Sequence, residues 1–489
     1  MACSESVYVP EGVGDAGADL LESGVAVDHP PTFAADRAVL RGSTFFGQPE
    51  RFNRYYTDAT YVARRVRYVS MSGSGDGTSR DSPIFAQQAL LDAEPGDMLV
   101  FLRSQKPYEG CYTLTHGGTY DAPLVLYAER NADGSRGVEI KCSGTENKNE
   151  SCLNLMSPDY VAVDGFVLAG GSYGVRGEGK GYAASSHMRG LAVLNVDGKN
   201  SYRDPIFAAQ TDWTVVQNNV AHGAGKRDGH GIYLSNGGDF NLVRYNETFG
   251  NAAATFQVNA DPSYVCSPGD ISFTDPECDG SALEGKGRGV SEYVLVENNF
   301  FHNDDQGPNF TSVRNSIVRN NISAFHTHHN VSFWQETENP KLGTHSNVIA
   351  HNLFVNAADL HVVQFIASST NNRVANNMFV SLTPDGHAST GGVVMAVDAS
   401  VNGNRYENNF YIGGKVNGRV LSEGERAEVV FDATWFHGWA TDGASGVNGF
   451  VPKTSSPFAK FGKLLADAER DYFGSPRAEP VDLGPLIAR

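Results

Sequence analysis

The sequence predicts an all-β solenoid, in which short strands stack coil upon coil, and three observations support this. First, asparagine is concentrated in one stretch, because 27 of the 36 asparagines lie in the 192 residues from Asn218 to Asn409. Second, one motif recurs through this stretch, a short run of β-formers followed by Asn. Third, the repeat units hold no helical pattern of about ten residues, which excludes helical solenoids.

The spacing of this motif indicates the kind of solenoid. The last Asn residues of successive motifs are 27, 53, 22, 31, 25 and 32 residues apart, and the 53 spans two coils or one coil with an insertion. Such coils hold two or three short strands, as in a parallel β-helix, whereas propeller blades need about 40–50 residues. An Asn at a fixed turn can adopt a left-handed conformation, and it can also hydrogen-bond to the Asn of the next coil as a ladder.

The chain divides into three predicted regions. Residues 1–60 are a tether and N-terminal segment, residues 61–450 are the β-helix, and residues 451–489 are a C-terminal cap or tail. An insertion at 261–289 interrupts the repeat, and long loops on a regular scaffold are often functional.

The first elements of the β-helix region follow in a clear order. A strand from Arg67 and a glycine-rich loop lead to a helix for which Ser82 is the expected N-cap, with Pro83 at its first position. The turn Glu94-Pro95-Gly96-Asp97 then leads to the next strand. Such a helix can cover the open end of the stack, where bare strand edges invite aggregation.

Composition excludes several classes of function. The chain has 489 residues, 40% of them hydrophobic, which is enough for a large core and excludes a mostly disordered protein. A net charge of −18 without a visible basic patch argues against nucleic acid as a partner. No apolar run reaches the roughly 18 residues of a membrane-spanning helix. We expect a monomer, since the sequence carries no sign of an oligomer.

The first residues indicate a location outside the cytoplasm. Met1-Ala2-Cys3-Ser4 resembles the junction at which bacterial lipoproteins are lipidated on cysteine, so Cys3 is predicted to carry a lipid anchor. An ordinary thiol is the alternative. We therefore expect a secreted protein, or one anchored by lipid at the bacterial surface or in the periplasm.

The other cysteines fit an oxidising compartment. Cys142 and Cys152 bracket one polar loop, and Cys266 and Cys278 bracket another, so two loop-closing disulfides are predicted. Cys111 is then left as an unpaired, buried thiol. A zinc site is the alternative, but the chain has no CxxC pair to support it.

Two motifs resemble those of secreted right-handed parallel β-helix proteins, which include polysaccharide lyases and mannuronan epimerases. One is the opening strand, glycine loop, helix and Pro-Gly-Asp turn; the other is Asp228-Gly-His230-Gly-Ile-Tyr233-Leu-Ser-Asn236 followed by Asn241-Leu-Val-Arg-Tyr-Asn246. The resemblance spans roughly residues 66–450 and implies a right-handed parallel β-helix that acts on polysaccharide. The chain lacks the aspartate cluster with a downstream lysine of some calcium-dependent pectate lyases, and the Asp-Pro-His-Asp motif of mannuronan epimerases.

One face of one predicted sheet is expected to bind the substrate. The strands at 231–235, 255–259, 331–335, 361–365 and 393–397 line up by their place before each Asn motif. Because side chains alternate along a strand, inward aliphatic residues leave a line of aromatic and amide side chains facing outward, which suits an extended sugar chain. An ordinary solvated surface is the alternative. The predicted substrate-binding residues are Gln257, Asn259, Trp334, Gln364, His328 and, from the insertion, Arg288.

The loop before Tyr233 has the densest group of polar residues, and catalysis is predicted there. β-Elimination on a uronic-acid chain needs a cation to neutralise the carboxylate, a base for the α-proton and an acid for the leaving oxygen. Arg227 could pair with the carboxylate. Lys226 or His230 could be the base, and Tyr233 could be the acid. The alternative is that the glycines of this loop only serve the turn.

Calcium is the predicted cofactor. Asp228, Asp239 and Asp261 offer oxygen ligands on neighbouring turns, and calcium could bridge them to a substrate carboxylate. The alternative is that these acidic turns only promote solubility.

The sequence thus predicts a polysaccharide lyase that cleaves an acidic glycan by β-elimination. A uronate epimerase shares the proton abstraction, and a glycoside hydrolase would need two opposed carboxyl groups. A non-catalytic glycan-binding surface protein is the alternative from another class.

Overall fold

A computed structural model describes residues 51–58, 60–225, 228–261, 289–336, 342–356, 361–440, 446–466 and 468–488. Over these ranges the chain forms the predicted right-handed parallel β-helix, in which each coil contributes one strand to each of three long parallel sheets. Among the described residues, no helix has the length and apolar character needed to cross a membrane.

The three sheets, named A, B and C here, contain 13, 12 and 11 strands. Sheet A comprises Ile84–Phe85, Arg65–Ser70, Asp97–Phe101, Leu124–Ala128, Val161–Asp164, Ala192–Leu194, Val215–Gln217, Leu242–Arg244, Leu295–Glu297, Ile317–Arg319, Val348–Ala350, Arg373–Ala375 and Arg405–Glu407. Sheet B comprises Tyr108–Glu109, Glu139–Cys142, Val167–Gly170, Asp197–Lys199, Val220–His222, Glu247–Phe249, Phe300–His302, Ile322–Ala324, Leu353–Asn356, Met378–Ser381, Phe410–Ile412 and Arg426–Glu428. Sheet C comprises Tyr112–Leu114, Leu153–Met156, Val175–Glu178, Ile206–Ala209, Ile232–Ser235, Phe256–Asn259, Asn309–Thr311, Val331–Trp334, Val363–Phe365, Val393–Val397 and Lys415–Asn417.

The remaining regular elements are short. Two small parallel sheets pair Met188–Arg189 with Thr211–Asp212 and Ser291–Glu292 with Val313–Arg314. In the described ranges the helices are Arg54–Thr57 and Ala86–Leu91, and single 3₁₀ turns lie at Ala184–Ser186, Ala433–Trp435 and Val447–Phe450.

The predicted asparagine ladder is present and buried between sheets A and B. The side-chain amide of each ladder residue donates to the side-chain oxygen of the next, at 2.9–3.1 Å. The backbone N–H of each residue donates to the same oxygen, so each rung is held twice. The ladder residues are Asn219, Asn246, Asn299, Asn321, Asn352, Asn377 and Asn409.

In the Asn-Asn doublets, two different residues provide the left-handed turn and the ladder hydrogen bond. The sequence analysis had predicted both roles for one Asn. In the five doublets between sheets A and B, the second Asn belongs to the ladder, whereas the first has a positive φ, for example 56° at Asn298 and 57° at Asn376. Tyr245 and His351 occupy the same left-handed position on two coils. Asparagine tolerates this conformation better than most residues, which explains why it dominates the position.

The ladder is closed at both ends. At its start, the Asn219 oxygen accepts from the Val196 backbone N–H at 2.8 Å. At its end, the Asn409 amide donates to Glu425 Oε1 at 3.3 Å. Glu425 also accepts from the Tyr411 hydroxyl and pairs with the half-buried Arg419, so the loop around these residues closes the C-terminal end of the stack.

The N-terminal helix lies where it was expected but begins later than predicted. Ser82 is not its N-cap, because the chain continues as the strand Ile84–Phe85, which pairs with Arg65–Ser70. The helix starts at Ala86, after Phe85, which makes no side-chain cap. Its residues Ala86, Ala89 and Leu90 are buried in the core and cover the first coil.

The predicted Cys142–Cys152 disulfide is wrong. Cys142 is bonded to Cys111, which was expected to be the unpaired thiol. The reason is coil stacking, since the strand pairs Tyr108 with Ile140 and brings Cys111 and Cys142 to a Cα separation of 5.0 Å on adjacent coils. Cys152 instead points into the core, is fully buried and stays a free thiol. The predicted partners Cys266 and Cys278, like Cys3, lie outside the described residues.

Two of the three sheets have their outer faces covered by other parts of the chain. Phe52, Tyr55 and Tyr56, around the helix Arg54–Thr57, pack on the outer residues of sheet A. Residues of the C-terminal segment, including Phe458 and Leu483, pack on the outer face of sheet B. In the described part of the chain, no added segment covers sheet C in this way, and its outer face is the one left open for a ligand.

Removing one rung should weaken the whole stack. Asn299→Ala deprives two buried donors of Asn246 of their acceptor and should lower the free energy of unfolding by about 2–6 kcal/mol. Urea unfolding of the variant measures this loss. Asn149→Ala, at an exposed loop position, is the matched control, and an equal effect of both variants would contradict the role of the ladder.

The disulfide connectivity can be read by mass spectrometry. Trypsin cleaves after Lys148 and so separates Cys142 from Cys152. Under non-reducing conditions with blocked thiols, we expect the Cys111 peptide to be linked to the Cys142 peptide and Cys152 to be unlinked. A link between the Cys142 and Cys152 peptides would restore the pairing expected from the sequence.

Candidate functional site

The outer face of sheet C forms a groove with a volume of about 850 Å³. Its floor is built from outward residues of successive coils. Strand register places Phe207, Tyr233, Gln257 and Asn309 in one column, each opposite the next. Parallel strands lie about 4.8 Å apart, so these four side chains span roughly 14 Å along the stack.

All five strands predicted for the binding face belong to sheet C, but one strand between them was missed. Asn309–Thr311 lies between Phe256–Asn259 and Val331–Trp334 and brings Asn309 into the groove. It follows the insertion and a Gly-Pro pair, and it lacks the run of β-formers that marks the other strands.

Tyr233 lies at the centre of the groove floor. Its hydroxyl donates to Asp261 Oδ2 at 3.1 Å, and the Ser235 hydroxyl donates to the same oxygen at 2.7 Å. Burial, followed by the neighbouring Asp261 charge, raises the pKa of Tyr233 well above its usual value. Tyr233 is therefore neutral at physiological pH, with its proton directed at a carboxyl group.

Asp261 has a pKa near neutrality. Burial raises the pKa of Asp261 to about 6, and the nearby Glu336 charge adds to the rise, while the Ser235 and Tyr233 hydrogen bonds oppose it. Asp261 is mostly ionised at neutral pH and close enough to its pKa to accept a proton there.

His230 is neutral, and its tautomer is fixed by the backbone. The Ala254 N–H donates to His230 Nδ1 at 3.1 Å, so this nitrogen is an acceptor and the proton of the neutral ring is on Nε2. Burial lowers the pKa of His230 to about 4. The ring packs edge-on against Tyr233, with centroids 4.9 Å apart. His230 can thus donate a hydrogen bond from Nε2, which does not suit the predicted role of base.

Asp204 is a groove residue that the sequence analysis did not select. It precedes the strand Ile206–Ala209 exactly as His230 precedes Ile232–Ser235, one coil later, so alignment of the strands by register would have found it. Its Oδ1 accepts from the His230 backbone N–H at 2.7 Å. Burial and the nearby Asp228 charge raise the pKa of Asp204 to about 8, although the backbone hydrogen bond and Arg203 oppose the rise.

The three predicted calcium ligands do not come together. Asp228 and Asp261 line the groove, whereas Asp239 is buried near Asp212, Glu292 and Arg314, and its Oδ1 accepts from the Glu292 N–H. Over the described ranges, no group of three or more His, Cys, Asp or Glu side chains is arranged to hold a metal ion. Asp239 is thus separate from the other two predicted ligands, and calcium binding stays a prediction.

The predicted substrate-binding residues divide between the groove and its surroundings. Gln257, Asn259 and Trp334 line the groove, and so does His328, whose Nδ1 lies 2.5 Å from Asp305 Oδ1. Gln364 lies on the same face two coils beyond Asn309, outside the groove, where its amide donates to Ser332.

Several predicted cationic residues cannot be placed. Lys226, Arg227 and Arg288 lie outside the described residues, as does the insertion from 262 to 288. Among described residues, the groove contains Lys148 and Arg203 as cations. Its carboxyl groups are more numerous: Glu178, Asp204, Asp228, Asp261, Asp305 and Glu336.

Comparison with known proteins supports the fold. No protein-family model and no curated protein sequence matches the chain. Among solved structures, the pectate lyase Pel9A is similar, with 13% identity over 88% of this chain and 98% of that chain and a TM-score of 0.56. At this identity the likeness confirms the predicted parallel β-helix class and does not extend to the reaction.

Two further structures have lower TM-scores. An alginate lyase from Paenibacillus sp. is 15% identical over 70% of this chain and 100% of that chain, with a TM-score of 0.43. The A-module of a mannuronan C-5 epimerase from Azotobacter vinelandii is 13% identical over 74% of this chain and 100% of that chain, with a TM-score of 0.40.

The proton on Asp204 should make stability depend on pH. The folded state keeps this proton up to a pKa of about 8, whereas the unfolded carboxyl loses it near 3.8, so the folded state binds more protons between these values. The free energy of unfolding should therefore fall as pH rises through this window. Asp204→Asn removes this contribution and keeps the oxygen that accepts from His230.

Urea midpoints at about pH 5 and about pH 8 measure the effect. The decrease between the two should be smaller for Asp204→Asn than for the wild-type protein. An equal decrease in both proteins would show that the pKa of Asp204 is not raised in the folded state. Asp133→Asn, at an exposed turn, serves as the control.

Proposed function

We propose that this protein is a polysaccharide-active enzyme that cleaves an acidic glycan by β-elimination in the groove of sheet C. The observation that carries the proposal is the hydrogen bond from Tyr233 to Asp261 in a groove that Asp204 also lines, a carboxyl group whose pKa burial raises to about 8. This arrangement offers both a route for removing a proton and a group for donating one. Perturbed carboxyl groups within a cleft are typical of catalytic sites.

Tyr233 and Asp261 act together as the base. The Tyr233 oxygen takes the α-proton of the uronate as its own hydroxyl proton passes to Asp261 Oδ2. Asp261 ends as a neutral carboxylic acid, and Tyr233 ends as it began. The tyrosine therefore need not form a free phenolate, which its surroundings disfavour. This assignment replaces the role of acid that the sequence suggested for Tyr233.

Asp204 acts as the acid. With a pKa of about 8 it holds a proton at neutral pH and can give it to the glycosidic oxygen as the bond to the sugar breaks. His230 Nε2–H can donate a hydrogen bond to the bound sugar on the same side of the groove. The sugar proton thus ends on the Tyr233 oxygen, the former Tyr233 proton is held by Asp261, and the leaving oxygen takes its proton from Asp204, which ends ionised.

The substrate carboxylate has to be neutralised for its α-proton to become acidic. Lys148 and Arg203 are the described cations that can approach it. We keep Arg227 as a further proposed partner of the carboxylate, Lys226 as an alternative base and Arg288 as a substrate-binding residue. Lys226 and Arg227 adjoin the groove residue Asp228 in sequence. Calcium stays a proposal to be tested by chelation, and no step of the mechanism above depends on it.

Hydrolysis is the second candidate. Glycoside hydrolases use one carboxyl group as acid and another as base or nucleophile. Asp204, with a pKa of about 8, and Asp261, with a pKa of about 6, fit this division of roles as well. Epimerisation would share the Tyr233–Asp261 step and return a proton to the sugar.

A location outside the cytoplasm remains part of the proposal. Acidic polysaccharides are polymers too large to enter a cell, and the disulfide Cys111–Cys142 is typical of proteins in an oxidising compartment. Lipidation of Cys3 stays a prediction, which mass spectrometry of the protein from membranes would test.

The products distinguish these reactions. We would incubate the protein with alginate, pectate, glycosaminoglycans and ulvan, with and without calcium, and with a chelator. A lyase gives an unsaturated sugar that absorbs in the ultraviolet, a hydrolase gives reducing ends without that absorbance, and an epimerase changes the sugar without shortening the chain. Binding without any of these changes would contradict the enzymatic proposal.

Activity should depend on pH in a bell shape. Because Asp261 must be ionised, kcat/KM should fall as pH drops through about 6, and because Asp204 must be protonated, it should fall as pH rises through about 8. Asp261→Asn should lower kcat by about 10²–10⁴-fold. Asp133→Asn is the control, and a profile flat across this range would contradict both assignments.

A further inference from the structure

A line of hydrogen bonds runs along the groove floor and ends at the proposed base. Trp334 Nε1–H donates to Asn309 Oδ1 at 2.6 Å, and Asn309 Nδ2 donates to Gln257 Oε1 at 3.1 Å. Gln257 lies directly opposite Tyr233 in the strand register and acts on the Tyr233 hydroxyl, and Tyr233 donates to Asp261. The line crosses several coils and links residues that lie about 100 positions apart in sequence.

The direction of this line follows from the chemistry of its first member. An indole N–H can only donate, so Asn309 must turn its oxygen towards Trp334. The Asn309 amide nitrogen then faces Gln257, whose oxygen must accept from it. This leaves the Gln257 amide nitrogen to donate to the Tyr233 oxygen. The hydroxyl proton of Tyr233 cannot point back at a donor, so it points at Asp261.

We propose that Trp334 is a positioning residue that, through Asn309 and Gln257, directs the Tyr233 hydroxyl to Asp261. Two effects follow for the reaction. The proton of Tyr233 is aimed at the group that must receive it, and a lone pair of the oxygen stays available to the substrate. This inference rests on the proposed function, in which Tyr233 and Asp261 form the base. The hydrogen-bonded line itself does not depend on that function.

Other groups that face Tyr233 and Asp261 could also alter their behaviour. Glu336 adds negative charge beside Asp261, and its Oε1 accepts from the Asn259 amide at 2.6 Å. The other titratable groups that line the groove are Lys148, Tyr173, Glu178, Tyr182, Arg203, Asp204, Asp228, His230, Asp305 and His328. The tests below therefore change the members of the line and leave these groups intact.

The first test observes the line without any substrate. The chain has four tryptophans, so ¹⁵N-labelled protein gives four indole N–H signals, and Trp334→Phe identifies the one of interest. We expect this signal to shift with pH, with a midpoint near 6, as Asp261 titrates. The shift should disappear in Asp261→Asn and in Gln257→Met, which breaks the line. A shift that persists in Gln257→Met, or one absent from the wild-type protein, would overturn the inference.

The second test measures catalysis on the glycan found in the product screen. In Asn309→Asp, the new carboxylate still accepts from Trp334 but cannot donate to Gln257. The Gln257 amide therefore rotates, so that its nitrogen donates to this carboxylate and its oxygen faces Tyr233. The Tyr233 hydroxyl then donates to Gln257 instead of Asp261. We expect kcat to fall about 10–100-fold, with KM within about twofold and the acidic limb of the pH profile displaced.

Trp334→Phe and a control complete the set. Trp334→Phe keeps an aromatic ring in the groove and removes the donor, so kcat should fall about tenfold with little change in KM. Ser332→Ala is the matched control, since Ser332 is the next residue of the same column and bonds to Gln364 instead of the line. A loss confined to KM in Trp334→Phe would mean that Trp334 serves only as a sugar platform.

Failure of the inference and failure of the proposed function give different results. If no glycan is cleaved but the Trp334 signal reports Asp261 through Gln257, the hydrogen-bonded line stands and the function is wrong. If a glycan is cleaved and the variants of the line behave like Ser332→Ala, the function stands and the positioning role of Trp334 is wrong.

Discussion

The amide ladder between sheets A and B is the interaction on which the rest of this structure depends. Each ladder Asn meets the next through both its side chain and its backbone, so a coil cannot slip against its neighbour without breaking buried hydrogen bonds. Fixed register between coils is what places Phe207, Tyr233, Gln257 and Asn309 in one straight column. The ladder therefore fixes the relative positions of groove-floor side chains that are distant in sequence.

The position of the groove follows from how the chain uses its two ends. The segment around Phe52 covers sheet A, and the segment around Phe458 covers sheet B, each burying apolar outer residues. Sheet C carries polar and aromatic residues at the equivalent positions. Among the described residues its outer face stays uncovered, and these polar side chains would be costly to bury without hydrogen-bond partners.

The fold could be predicted from sequence because one local signal, an Asn after a short run of β-formers, repeats on each of the seven coils from Asn219 to Asn409. The site could be predicted only in part, since it depends on which coils are neighbours. Tyr233, Gln257 and Trp334 were found by their place on strands, but Asp204 was missed because no motif marks it. The disulfide was predicted wrongly for the same reason. Cys142 pairs with Cys111 across a coil boundary that sequence distance does not reveal.

The ladder also has a direction. One N–H of every ladder amide donates to the next rung towards the C-terminal end, while the other donates back to a backbone carbonyl. On Asn409 the forward N–H meets the carboxylate of Glu425. Any two successive rungs present the same donor and acceptor to each other. A whole coil could therefore be gained or lost in the middle of the stack during evolution with the pattern intact. The Glu425 carboxylate differs from the rungs because it accepts from Asn409 and offers no amide donor to a further coil. It therefore sets the coil at which the ladder ends.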